Sequence, residues 1–129
     1  MDHLSPDERR IVYARLVRGY ADTAAVGQPA EAQWEWLMAA HVVGQHDAGL
    51  HFDSHCRMLE LARRSRDWRE AAGQVLRIAL LPLGHLLGRI PVGNIGRATV
   101  RVTQPMQPPE AVQVLIDVAT LATKLPEAR

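Results

Sequence analysis

Six histidines stand in the sequence, and four of them, His41, His46, His51 and His55, fall within a stretch of fifteen residues. His51 and His55 are four residues apart, so on a helix they point the same way and can chelate one metal ion. On a wheel at about 100° per residue, Ala48, His51, His55, Met58, Leu59 and Ala62 share one side of their segment. Asp53, Arg57, Glu60 and Arg64 share the other. The two imidazoles therefore belong to the apolar face. His41 lies one helical turn beyond Leu37 and two beyond Trp34, again on an apolar side. If the two segments form a helical hairpin, all three rings sit near its turn and can converge. Three neutral imidazoles, completed by water or a further donor, suit zinc, copper, nickel or iron. Gln45, His46, Asp47, Cys56 and Met58 are close enough in sequence to add a ligand or a supporting contact.

The plainer reading is that the histidines are structural, each satisfied by a backbone carbonyl, as lone buried histidines usually are. Three near one hairpin end, two of them at chelating spacing, make a shared site worth carrying beside it. His46 is expected to be exposed in the turn, and nothing in the sequence assigns a role to His3 or His85. Sharper readings fail on single residues. His51-Phe52-Asp53-Ser54-His55 has the spacing of a zinc-protease helix, but Phe52 stands where the general-base glutamate belongs. There is no Glu-x-x-His pair of the di-iron carboxylate type, no Gly-x-Ser-x-Gly elbow and no P-loop. A metal-free enzyme using one histidine as a general base would lack a visible nucleophile or acid.

The elements that must position the histidines are helical. Ser5, Pro6 and Glu8 open a first helix with a capping-box pattern, and Gly27 is its stop. Glu31 to Gly44 forms a second helix, apolar around most of its circumference and therefore central. A third runs from about Asp47 to Ser65. Asp67 caps a fourth, with Glu70 three residues on, and Pro82 is expected to end or kink it before a short turn at Leu83 to Leu87. Residues 88 to 108 read as an irregular arm, with strand-like alternation over Arg97 to Val102. Ala111 to Thr123 forms a last helix, with Val112, Leu115, Val118 and Leu121 or Ala122 on one face. Gly27, Ala32, Trp36 and Ala39, and more loosely Ala71 and Val75, resemble the second helices of tetratricopeptide repeats, which implies antiparallel hairpin packing of that style. The fold expected is all-α: two hairpins, an arm and a C-terminal helix, in one domain over 1–129.

Composition narrows the function classes. Of 129 residues, 47% are hydrophobic and 22% charged, which suits a globular chain. Fifteen Lys and Arg against fourteen Asp and Glu leave no basic excess for neutralising phosphates, so nucleic acid is not an expected partner. A protein partner belongs to the alternative function, a helical-repeat-like protein-interaction module with structural histidines and no catalysis, which the repeat match does not by itself imply. One cysteine, Cys56, excludes an intrachain disulfide. The N-terminal residues lack a basic and then apolar leader, and no apolar run could span a bilayer, so the expected location is the cytoplasm. Arg57, Arg63, Arg64, Arg66 and Arg69 alternate with Glu60, Asp67 and Glu70, as on a solvated face of ion pairs. Trp34, Trp36 and Trp68 are expected in the core or in hairpin packing. The Pro91–Gly96 loop is expected mainly to turn the chain, with a small-anion site on its backbone amides, flanked by Arg89 and Arg97, as the lesser reading.

Five short runs occur in order: Ala40-His41-Val42-Val43-Gly44-Gln45, His51-x-x-x-His55, Met58-Leu59, Gly73-Gln74-x-x-Arg77, and Gly88-Arg89-x-Pro91-x-Gly93-Asn94-x-Gly96. Together, over about residues 10 to 120, they resemble a small bacterial family known only as domain of unknown function 3703. Ile95 departs from the threonine expected in the Gly-Asn-x-Gly turn. The resemblance brings no activity with it, but it implies that His41, His51 and His55 belong to a family pattern.

Overall fold

The computed structural model describes residues 4–88, 94–99 and 105–125. The described part is all-α, with five helices: α1 (Pro6–Ala25), α2 (Ala30–Gly44), α3 (Ala48–Arg64), α4 (Trp68–Leu87) and α5 (Glu110–Lys124). α1 opens on a complete capping box. The Ser5 hydroxyl accepts the Glu8 N–H and the Glu8 carboxylate accepts the Ser5 N–H, both at 3.1 Å. Its buried face is Val12, Tyr13, Leu16 and Tyr20. The chain then turns through Gly27, whose φ of 73° suits a residue without a Cβ.

α2 is the hub. Every residue from Leu37 to Gly44 is buried, because α1, α3 and α5 all pack on it. Gly19 of α1 meets the Trp36 ring, and Tyr13 meets Gly44, so α1 and α2 run antiparallel. The α2–α3 hairpin is tight. Asp47 donates its N–H to the Gly44 carbonyl at 2.9 Å and its carboxylate caps α3 by accepting the Leu50 N–H at 3.1 Å. α3 buries His51, Ser54, His55, Met58, Leu61 and Ala62, the face expected for the two histidines. Arg66 takes a left-handed φ of 56° between α3 and α4, and Asp67 caps α4 through the Glu70 N–H.

Four expectations need correction. Pro82 neither ends α4 nor separates off a short turn, and the helix continues to Leu87. Pro82 is on the exposed side, where the carbonyl it leaves without an N–H can face water. On α5 the buried stripe is Val112, Ile116 and Ala119, while Val118 and Leu121 are exposed. Apolar residues occupy two neighbouring stripes of that helix, so periodicity cannot choose which one packs on α1 and α2. Trp34 is core and Trp36 is half-buried, but Trp68, at the start of α4, is 63% exposed. Over 94–99 and 105–108 the arm has no strand; Ala98 and Thr99 are in a turn, and 100–102 lie outside the described residues, as do Arg89 and 91–93 of the expected loop. No described helix is long and apolar enough to cross a membrane.

Candidate metal centre

The tight hairpin brings His41, near the end of α2, against His51 and His55 in the first turns of α3. All three are buried, at 3%, 7% and 3% exposure. His51 Nε2 is 3.1 Å from His41 Nε2 and 3.1 Å from His55 Nε2. One ligand nitrogen from each ring lies within 4.8 Å of the other two. Among the described residues this is the group of histidines, cysteines and carboxylates that could hold a metal ion. Tetrahedral ligands about 2.0–2.1 Å from a zinc ion would be about 3.3–3.4 Å apart, close to the two 3.1 Å separations from His51 Nε2.

Each ring is held from behind through its Nδ1. His41 donates to the Asn94 carbonyl at 2.7 Å, and His55 donates to the Gln74 side-chain carbonyl at 2.7 Å. Neither oxygen can donate, so both rings must carry their proton on Nδ1 and turn the Nε2 lone pair inward. His51 Nδ1 pairs with His85 Nε2 at 2.8 Å. If His51 donates there, three lone pairs face one another. If it accepts, the one proton on its Nε2 lies between two acceptors and can serve only one well. In both states the rings present more lone pairs than protons, and a cation resolves the excess. Metal-binding histidines are commonly oriented by such outer hydrogen bonds.

The groups behind the rings form a second layer of structure. Gln74, fully buried on α4, also donates to the Gly96 carbonyl at 3.0 Å and to Glu70 at 3.3 Å. Glu70 accepts the Ala98 N–H at 2.6 Å and Arg97 Nε at 2.9 Å. Arg97 is also stacked on Trp34, 4.3 Å from the ring centroid. Glu70 is therefore a buried anchor for the arm, not a member of the solvated arginine face expected for it. Arg63, Arg64, Arg66 and Arg69 are exposed as expected, and Arg63 pairs with Glu60 at 2.7 Å, while Arg57 pairs instead with Asp53 at 2.8 Å.

Asn94 accepts the Gly96 N–H on its side chain at 2.9 Å, and its backbone carbonyl meets His41. Gly96 has φ 84°, and a Cβ there would come within 2.6 Å of the His41 ring. Only glycine lets the arm lie on that imidazole. Gly96→Ala is expected to destabilise the fold by roughly 1–3 kcal/mol and to weaken the hold on His41, read as a lower urea midpoint.

Burial pushes all three imidazoles toward the neutral form. His41 lies well below the usual histidine range, from burial first and then the neighbouring His55 and His51. His51 is lowered to about 3, by burial and then by His55, His85 and His46. His55 is lowered chiefly by burial. A lowered folded-state value means the unfolded chain takes up protons first. Stability of the metal-free protein is thus intact above the unfolded value near 6.5 and falls as pH drops below it, toward about 3 for His51. Each ring kept neutral adds a slope of about 1.4 kcal/mol per pH unit in that window. Urea midpoints between pH 7.5 and 4 should decline accordingly.

The fold thus brings together the three histidines expected to converge. His46 is exposed, as expected. His85, given no role by the sequence, is in contact with His51, and Gln74, Glu70 and the Asn94 carbonyl likewise carried no site role there. A signal for two of these existed, since Gln74 and Asn94-x-Gly96 are parts of the ordered runs. Of the other suggested donors, Asp47 is engaged in capping α3, Met58 is fully buried in the apolar core and Cys56 is half-buried.

The model of the family described as Protein of unknown function (DUF3703) matches residues 7–116. No curated protein and no solved structure matches the chain. The chain belongs to that family.

Proposed function

We propose, for this member of a family without an assigned activity, that the protein binds one transition-metal ion through His41, His51 and His55, and that metal handling or sensing is its role. The observation that carries this reading is the pair of fixed tautomers. Oxygen acceptors behind His41 and His55 commit both Nε2 lone pairs to a buried point that His51 also faces. Neutral rings need no deprotonation before binding, which favours uptake at neutral pH. Zinc, copper, nickel and iron all accept imidazole, so the donor set defines the class of ion.

The test is elemental analysis of protein purified without an affinity tag or chelator, followed by titration with each of the four metals. The expected result is one tightly held equivalent of metal per chain. No stoichiometric uptake of any of the four would overturn the reading.

A second reading is a protein-interaction module with structural histidines. It is favoured by a stripe of exposed leucines on α4, Leu76, Leu80, Leu83 and Leu87, spaced to share one helical face. This reading expects Leu80→Ser with Leu83→Ser to abolish association with a protein partner, and it expects no metal. Stoichiometric metal uptake lost with the histidines would decide against it.

A further inference from the structure

Gln45 follows α2 directly and keeps right-handed helical backbone angles, φ −64° and ψ −19°. It therefore continues the register of α2, four residues after His41, which places it about 40° round and roughly 6 Å along the same face. Trp34, Met38, His41 and Gln45 form one stripe by this spacing. The hairpin closes on this end of the helix, with Gly44 packed against Leu50, the neighbour of His51.

The Gln45 side chain is 1% exposed, and its Oε1 is buried without a hydrogen-bond partner. The only other such atom among the described residues is Gln33 Oε1, at the far end of α2. A buried acceptor with no donor is costly, and interiors rarely leave one so. One turn before it on α2 is His41, which with His51 and His55 of α3 forms a set of imidazoles that has an excess of lone pairs and is one ligand short of a tetrahedral shell. One cation meets both needs.

Resting on the three-histidine reading, we propose that the Gln45 side-chain oxygen is the fourth donor to the ion, closing the shell as three nitrogens and one oxygen. The donor set is uncharged and buried. A closed shell of this kind holds its metal and leaves no position for a substrate, as structural sites do and catalytic zinc sites do not. The role that follows is retention of the ion, with no hydrolytic reaction at it.

Cobalt(II) chloride, titrated into metal-free protein and followed by visible absorption, tests this, with azide added as a competing ligand. The wild-type chain is expected to take one equivalent, with four-coordinate bands that azide does not alter. Gln45→Leu should bind cobalt at least roughly tenfold more weakly, with bands that azide now shifts. Gln45→Glu keeps an oxygen at the same reach and should bind with shifted bands, and circular dichroism checks the folding of both variants. If Gln45→Leu does not fold, Gln45→Glu decides, since unchanged bands would overturn the proposal. Wild-type affinity and bands in Gln45→Leu, or wild-type bands that respond to azide, would remove Gln45 from the shell and leave the three histidines standing. Failure of the wild-type chain to bind cobalt would instead remove the histidine site itself, and this proposal with it.

Discussion

Alanine at both His51 and His55 is expected to abolish stoichiometric metal uptake while the five helices persist. Both residues are on α3 and supply two of the three converging nitrogens. The double variant leaves His41 alone, and one imidazole holds a metal no better than a surface histidine does. A ligand at one hundred times its dissociation constant stabilises a fold by about 2.7 kcal/mol, worth roughly 10 °C in melting temperature for a chain of this length. That metal-dependent gain should be present in the wild-type chain and absent in the variant. Without metal the two should differ less than their lost volume suggests, because the substitutions also remove the crowding of unprotonated nitrogens. Calorimetry with and without one metal equivalent measures both. A full gain in the double variant would show that the ion binds elsewhere.

Glu70→Ala should have the largest effect on stability itself. The carboxylate is 3% exposed and takes hydrogen bonds from Arg97, the Ala98 amide and Gln74. Its removal leaves Arg97, whose side chain is 15% exposed, without its closest anionic partner. Breaking a buried pair in this way costs about 3–5 kcal/mol, against a total of about 5–15 kcal/mol for a typical domain. The loss has a direction as well as a size. Glu70 ties the arm to α4, and the arm carries the carbonyl that orients His41. Metal affinity should therefore fall by roughly 10- to 100-fold, although Glu70 touches no proposed ligand. Glu70→Gln retains an acceptor oxygen and should lie between the two in urea midpoint and affinity. Unchanged metal affinity in a folded Glu70→Ala would separate the arm from the site.

The near half of this site was legible in the sequence because it is local. His51 and His55 are one turn apart on an amphipathic helix, and a short hairpin forces His41 toward them. The helical class and the capping box of α1 were legible for the same reason. The far half comes from distant chain. His85 reaches His51 across 34 residues, and Asn94 reaches His41 across 53. One of the decisive acceptors is a backbone carbonyl, which residue type cannot announce. Glu70 illustrates the same limit, since its place after Asp67 reads as a capping box while its carboxylate turns to the arm instead. The misassigned face of α5 and the run of α4 through Pro82 were decided by neighbours and solvent, neither of which periodicity records.

The most direct measurement is crystallography of the metal-loaded protein, with diffraction recorded above and below the absorption edge of the bound ion. One anomalous peak per chain is expected, about 2.0–2.1 Å from Nε2 of His41, His51 and His55, with Asn94, Gln74 and His85 still behind the rings. A peak at His46 or elsewhere on the surface, with none between the three imidazoles, would contradict it.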